Sequence, residues 1–216
     1  MATAASQTPQ TSQQVAEREA ANGLRQYDAG IEMIKMYLDP ERPFALRPHM
    51  ICQLQQIAVD GLEPEAGQFR KTGVGIHQSE HQPPQAHLVP FLVDEMCEYV
   101  NNNLHEATAF HLAAYVMWRL NWIHPFSEGN GRTSRIVSYI VLSLRIGCVL
   151  PGSPAIPQQI QDDRTVYIKI KALEAADAAC RDGKIDVSEM ETALKGMLAR
   201  QLLSVIEGAD GGVPAV

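Results

Sequence analysis

Ile123–Arg135 has the sequence I-H-P-F-S-E-G-N-G-R-T-S-R, and this stretch decides the fold. An apolar helical run ends at Ile123, because the residue before Pro125 is pushed away from the α conformation. Gly129-Asn130-Gly131 supplies backbone that can adopt a positive φ and approach a ligand closely. A second apolar run follows over residues 136–146. The pattern predicts a helix, a glycine-bearing loop and the N-terminus of another helix.

The charged residues of this stretch indicate a phosphate site, because a helix N-terminus binds anions through its free N–H groups and its dipole. Arg132 and Arg135 share a face of the first turn, where each cation is disfavoured by about 0.3–1 kcal/mol, so a bound polyanion is expected. Glu128 is suited to Mg²⁺, which binds one or two carboxylates plus substrate phosphates. His124 is the candidate general base, since a neutral imidazole can accept a proton near neutral pH. An ordinary turn would explain the proline and glycines but not this crowding of charge.

The segment His124–Arg135 resembles the signature of the Fic family, H-P-F-x-[D/E]-G-N-G-R-x-x-R, at every defined position. The resemblance implies a mainly α fold, a Fic-type helical bundle with a short β-hairpin flap beside the active-site loop. It also implies protein adenylyltransferase activity, in which AMP passes from ATP to a Ser, Thr or Tyr hydroxyl of a target protein. The related Doc-type kinases usually depart from G-N-G, so the intact Gly129–Gly131 favours nucleotidyl transfer over phosphorylation.

The resemblance also assigns roles within the loop. The phosphates would lie on the N–H groups of Gly129 to Gly131, with Asn130 contacting the α-phosphate and Glu128 holding Mg²⁺. Arg132 and Arg135 would bind the β- and γ-phosphates, while His124 deprotonates the attacking hydroxyl. The full set of candidate nucleotide-binding residues is Gly75, Ile76, His77, Glu128, Gly129, Asn130, Gly131, Arg132, Thr133, Ser134, Arg135 and Tyr167.

Upstream of the motif, residues 61–84 lose the helical period and contain four glycines. Val74 and Ile76 alternate with small residues, which fits a β-hairpin, although a surface loop is the alternative. Residues 70–84, with Arg70 at one end and Pro83-Pro84 at the other, resemble the Fic flap, which is implied to pair with the backbone of the target. Tyr167 either packs as an ordinary helix aromatic or, by the same resemblance, lines the adenine pocket.

The remaining pattern predicts further helices and sets the domain boundaries. Helices are expected near residues 15–38, 47–59, 88–100, 107–123, from the motif to 146, from 164 onward, and 186–207. The helix that ends at Ile146 is apolar on nearly every side, which predicts a buried central helix capped by Gly147. We expect a disordered leader at 1–14, N-terminal helices at 15–60, the Fic domain at 61–200 and a C-terminal helix end and tail at 201–216.

Composition restricts the class of protein. The chain has 216 residues, 45% of them hydrophobic, which suits one domain with a full core. A net charge of −7 argues against a nucleic-acid-binding surface. The four cysteines are far apart, which suggests neither a zinc site nor a redox pair. The sequence has no membrane span or signal peptide pattern, so a cytoplasmic location is expected, with export as an effector left open.

Regulation and the transferred group are less determined by sequence. Many Fic proteins carry an inhibitory [S/T]-x-x-x-E-[G/N] segment, and Leu203–Gly208 comes closest to it, which makes Glu207 a candidate partner of Arg135. A related transferase could use the same loop for UMP, phosphocholine or phosphate, or could remove AMP. A non-catalytic nucleotide-binding or interaction module is the alternative of another class. Besides the target protein, a homodimer or an antitoxin-like partner is considered.

Overall fold

The structure is a computed structural model that describes residues 11–76, 79, 81–162 and 172–210. For residues 208–210 it describes only the backbone. This part of the chain contains eight α-helices and no β-strand, so the mainly α prediction is confirmed. The helices are α1 (Ser12–Tyr37), α2 (Pro48–Ala58), α3 (Val89–Asn102), α4 (Ala109–Ile123), α5 (Asn130–Ile146), α6 (Ile156–Asp162), α7 (Ala172–Arg181) and α8 (Ser188–Asp210). A single 3₁₀ turn, Ala86–Leu88, precedes α3. None of these helices is long and apolar enough to span a bilayer.

The α4–α5 pair forms the centre of the bundle. These two helices make the most extensive contact of the described fold with each other. Helices α1 and α2 pack against α5, and helices α3 and α8 pack against α4. Trp118, Phe126 and Tyr139 are among the largest fully buried side chains of this centre. Gly147 ends α5 with φ 91°, as predicted. The short segment between α4 and α5, which is the predicted loop, is therefore held between the two most buried helices.

Helix α1 begins at Ser12, earlier than the Val15 start expected from sequence. A capping box explains the difference, because the Thr11 hydroxyl accepts from the Gln14 N–H and the Gln14 side chain accepts from the Thr11 N–H. Residues 12–14 of the expected leader are therefore helical. Further along α1, the buried Asn22 amide donates to the carbonyl of Asp60 at 2.9 Å, and Gln26 donates to that of Leu54 at 3.0 Å. These bonds fix α1 to the C-terminal end of α2.

The expected β-hairpin at 70–84 is not found in the described residues of that segment, which we call the flap. Instead of a ladder between the two limbs, the Arg70 guanidinium joins them, with Nη1 2.9 Å from the Thr72 carbonyl and Nη2 2.5 Å from the Pro84 carbonyl. Prolines also lack the N–H that a ladder would need. Ile76 and Ser79 close a turn through a backbone hydrogen bond of 3.2 Å. Residues 77, 78 and 80 lie outside the described part of the flap.

A buried glutamine of α8 fastens the segment that leads into α6. The Gln201 side chain, with no exposed surface, accepts from the Ile156 N–H at 3.0 Å and donates to the Leu150 carbonyl at 3.1 Å. Gly152 lies so close to Gln201, with φ 95°, that a side chain there would overlap the α8 backbone. The position of α6 relative to α5 is thus set by α8.

Candidate active site

His124 lies at the junction between α4 and the loop. It is the C-cap of α4 in the left-handed conformation, with φ 49° and ψ 60°, and its N–H still bonds to the Leu120 carbonyl. Pro125 follows and prevents the helix from continuing. The ring Nδ1 is 3.4 Å from the Asn121 carbonyl, which can only accept, so we assign the proton to Nδ1. Nε2 then keeps its lone pair, as a general base requires.

The surroundings of His124 favour its neutral form. Burial is the largest influence and lowers the pKa of the ring below its ordinary value, while the hydrogen bond to Asn121 opposes this. The nearby charges of Arg70 and His81 lower the pKa further. An imidazole with a lowered pKa is unprotonated at neutral pH, because desolvation penalises the charged form.

Arg70 holds the backbone around His124 in place, a role that sequence reasoning did not assign. Its side chain is 2% exposed, and Nε donates to the His124 carbonyl at 2.7 Å. Its own N–H bonds to the Pro125 carbonyl at 2.9 Å. A cation at the C-terminal end of α4 is also favoured by the helix dipole. The Arg70 side chain therefore holds together the two ends of the flap and also fixes the backbone of His124, the candidate general base.

The loop itself is closed by Asn130. The Asn130 side chain accepts from the Phe126 N–H at 2.9 Å and donates to the Phe126 carbonyl at 2.8 Å, and both residues are buried. We call this pair of bonds the Asn130 clasp. Both polar atoms of the side chain are thus engaged within the loop, and its contact with an α-phosphate stays a prediction. The backbone N–H of Asn130 remains at the helix N-terminus.

Gly129 and Gln55 fix the other side of the loop. Gly129 has φ 81°, and a Cβ there would lie 2.8 Å from Val59 Cγ1, so both the conformation and the space require glycine. The buried Gln55 amide donates to the Glu128 carbonyl at 2.9 Å and accepts from the Gly67 N–H at 2.6 Å. No sequence pattern indicates this role of Gln55, because a glutamine on α2 resembles an ordinary polar helix position.

The N-terminus of α5 lies at the glycine loop, where an anion site is predicted. The first backbone hydrogen bond of α5 runs from the Thr133 N–H to the carbonyl of Gly129, the N-cap residue, at 2.9 Å. The N–H groups of Asn130, Gly131 and Arg132 precede that bond, and such groups at a helix start have no intrahelical acceptor. Together with the helix dipole they can bind a phosphate oxygen.

The two motif arginines line a cavity next to this N-terminus. Arg132 Nη2 is 3.3 Å from Glu19 Oε1 on α1, and the buried Arg135 donates to Gln161 Oε1 of α6 at 2.6 Å. The cavity has a volume of about 800 Å³ and lies between α1 and residues 152–161. Its wall includes Glu19, Leu24, Arg132, Arg135, Pro154 and Gln161. Both guanidinium groups thus border one space large enough for a ligand.

Other predicted residues are placed differently. Glu128 is exposed, but Thr133 and Ser134 are 1% and 0% exposed, because they face the core from the first turn of α5. Ser134 Oγ donates to the Gly131 carbonyl and accepts from Asn121. The side chains of Thr133 and Ser134 are therefore packed inside the protein, and the part of these residues in nucleotide binding stays a prediction.

On the flap, Gly75 is exposed and Ile76 is partly exposed, whereas His77 and Tyr167 lie outside the described residues. Glu207 is exposed near the end of α8, and its pairing with Arg135 stays a prediction. Among the residues that the structure describes, no group of three His, Cys, Asp or Glu side chains could hold a metal ion.

Comparison with known proteins agrees with this geometry. Residues 45–142 match the profile of the Fic/DOC family. A protein adenylyltransferase Fic of Aedes aegypti is 32% identical over 96 residues, which are 43% of this chain and 18% of that protein. The chain thus spans about a fifth of the length of the curated relatives it matches.

Solved structures share the helical fold. A Fic domain containing signalling protein of Bacteroides thetaiotaomicron aligns with a TM-score of 0.71 at 20% identity, over 96% of this chain and 78% of that one. The BepC effector protein of Bartonella tribocorum, solved with bound AMPPNP, aligns with a TM-score of 0.59 at 15% identity, over 87% of each chain. The segment that matches the Fic/DOC profile therefore contains the signature at His124–Arg135, all of α4 and most of α5, and the helical fold of the chain is similar to that of the solved Fic-domain structure.

Proposed function

We propose that this protein is an adenylyltransferase that moves AMP from ATP to a hydroxyl of a target protein. The observation that carries the proposal is the position of His124. With the proton on Nδ1, Nε2 keeps its lone pair at the start of a loop that leads into the N-terminus of α5, where an anion can bind. The name adenylyltransferase is carried by relatives that are 32% and 34% identical to this chain over 96 and 97 residues, and it supports AMP as the transferred group.

In the proposed reaction the triphosphate binds at the N-terminus of α5. The N–H groups of Asn130 and Gly131 hold the phosphate oxygens, and Arg132 and Arg135 bind the outer phosphates. Arg132 must then exchange its contact with Glu19 for a phosphate. The Asn130 side chain contributes by keeping the loop closed, so contact with the α-phosphate falls to the backbone. Charge stabilisation by such fixed donors commonly makes the largest contribution to catalysis.

His124 supplies the general base. Nε2 removes the proton of a Ser, Thr or Tyr hydroxyl while that oxygen forms a bond to the α-phosphorus. The bond between the α-phosphorus and the bridging oxygen breaks, and pyrophosphate leaves with its electron pair. A positioned base of this kind contributes about 10²–10⁴-fold to the rate. The Nδ1–H bond to Asn121 keeps the ring oriented during the transfer.

Glu128 fits the binding of Mg²⁺ in part. Its exposed carboxylate can supply one oxygen ligand, and phosphate oxygens of the substrate would supply others, which is the usual way that Mg²⁺ is held. Bound there, the ion would neutralise charge on the phosphates. The flap residues Thr72 to Ile76 would receive the target as an added strand, which places a hydroxyl with little regard to its sequence.

Labelled ATP tests the proposal. The protein is incubated with a cell lysate and with ATP labelled on either the α- or the γ-phosphate. We expect a lysate protein to gain α-label but not γ-label. His124→Ala should lose about 10²-fold or more of the transfer while ATP binding changes little.

His105→Ala is the matched control, because His105 is an exposed histidine on the turn before α4. It should transfer label like the wild type. Gain of γ-label alone would show phosphorylation instead of AMP transfer. Transfer by His124→Ala at the wild-type rate would remove His124 from the mechanism.

A further inference from the structure

The last carbonyls of α4 are satisfied by side chains of the flap. A helix end leaves its final carbonyls without an intrahelical partner. The Ile123 and His124 carbonyls accept from Arg70, on the incoming limb of the flap, at 3.3 and 2.7 Å. The Trp122 carbonyl lies 2.8 Å from Nε2 of His81, on the return limb of the flap, residues 81–84. Both limbs are therefore attached to the same turn that carries the candidate base.

The contact of His81 with Trp122 indicates which ring nitrogen donates. The Trp122 carbonyl can only accept, so Nε2 of His81 carries a proton. Nδ1, on the other side of the ring, lies 3.8 Å from Asp177 Oδ2 of α7. The two side chains are each 17% exposed, so little water screens the contact between them.

Asp177 is itself fixed to α4. Its Oδ1 accepts from the indole N–H of the buried Trp118 at 2.7 Å. The His81 ring also lies against the Trp122 ring, with centroids 5.6 Å apart, and the Arg119 guanidinium covers Trp122 at 4.4 Å from its ring centroid. The return limb of the flap is thus bound to a rigid cluster of α4 and α7, and not only to its neighbours in sequence.

We infer that His81 and Asp177 are positioning residues that hold the return limb of the flap on the C-terminus of α4 beside His124. The Asp177 carboxylate lies 3.8 Å from Nδ1, an ion-pair distance for the imidazolium form of the ring, while Nε2–H on the other side points at the Trp122 carbonyl. The limb so fixed, together with Arg70 on the other limb, determines how far the flap stands from the candidate base. The inference rests on the proposed function only for its catalytic consequence, since the attachment itself can be measured without substrate.

Hydrogen exchange of the protein without ligand tests the attachment. Exchange at residues 81–88 is followed in His81→Ala, His81→Gln and Asp177→Asn. His81→Ala should exchange about 10-fold faster there, the effect of losing one side-chain hydrogen bond. The exchange rate of His81→Gln should lie between those of the wild type and His81→Ala, because the glutamine amide N–H can still donate to the Trp122 carbonyl. The matched controls are His87→Ala and Asp182→Asn, which alter an exposed histidine and an exposed aspartate nearby.

Transfer of α-label tests the catalytic consequence in the same variants. We expect His81→Ala and Asp177→Asn to raise KM for the acceptor protein about 10-fold with KM for ATP little changed. Equal exchange in His81→Ala and His87→Ala would overturn the attachment. Faster exchange with an unchanged KM for the acceptor would overturn the positioning role. If the wild type transfers no label, the proposed function fails, whereas the exchange result still decides the attachment.

Discussion

Replacing Asn130 by alanine removes both bonds of the Asn130 clasp. The Phe126 N–H and carbonyl would be left buried and without these partners, and each such group costs about 1–3 kcal/mol. Partial relaxation of the loop reduces the sum, so we expect Asn130→Ala to lower the free energy of unfolding by about 2–4 kcal/mol. For a chain of this length that corresponds to a fall in Tm of about 4–16 °C.

Thr133→Val is the matched control, one turn along the same helix. The Thr133 hydroxyl is buried and has no hydrogen-bond partner in the described structure, and valine has nearly the same shape. Its removal should leave stability unchanged or raise it by about 1 kcal/mol. Urea unfolding followed by circular dichroism measures both variants, and calorimetry measures their ATP affinity. Thr133→Val should bind ATP like the wild type, because the side chain is not open to ligand.

The opposite pattern would refute this reasoning. If Asn130→Ala changed the free energy of unfolding by less than about 0.5 kcal/mol, as a surface substitution does, the clasp would not be holding the loop. If that variant also lost transfer, the Asn130 amide would have to act on the substrate directly, as the family resemblance first implied.

Two further predictions concern charge at the site. Glu19→Gln frees Arg132 from a partly exposed ion pair worth about 0.2–1 kcal/mol, so ATP affinity measured by calorimetry should rise about 1.5- to 5-fold, whereas Glu17→Gln on the same helix should change nothing. An unchanged affinity would mean that Glu19 does not compete with phosphate. Because burial lowers the pKa of His124, kcat/KM should fall with decreasing pH only below about pH 6.5, as the imidazole gains a proton. An acid limb centred above that pH would contradict a neutral, desolvated base.

The lowered pKa of His124 also determines how the stability of the protein changes with pH. As the pH falls, His124 in the unfolded chain gains its proton near pH 6.5, whereas His124 in the folded protein gains it only at a lower pH. Between that pH and the lower folded pKa the unfolded state holds more protons, so this residue lowers stability as the pH falls.

The sequence predicts best what is decided locally. Pro125 ends α4, glycine at 129 permits the turn, and the apolar run to Ile146 makes α5 a central helix, all of which depend on neighbouring residues. The family signature adds His124 as the candidate base. These features need no knowledge of distant contacts, which explains why their boundaries agree with the structure to within a few residues.

What the sequence does not predict depends on contacts between distant segments. Gln55 bonds across 73 residues to Glu128, and Arg132 reaches Glu19 across 113 residues. Nothing in the local pattern selects these partners. The predicted hairpin is not shown by the described residues of the flap, because alternation of Val74 and Ile76 indicates extended backbone but not its hydrogen-bond partner. The two limbs are joined instead by the Arg70 guanidinium, which donates to the Thr72 and Pro84 carbonyls.

The buried Gln55 and the Asn130 clasp also bear on the thermodynamics of nucleotide binding. They hold the loop in one conformation through bonds within the protein itself, so under the proposed function its conformational entropy is lost during folding and not when ATP binds. A pre-organised site binds with a smaller ordering penalty, and mutations that loosen it weaken binding without touching the ligand. For this loop, the residues that determine affinity therefore extend to side chains that no nucleotide would contact.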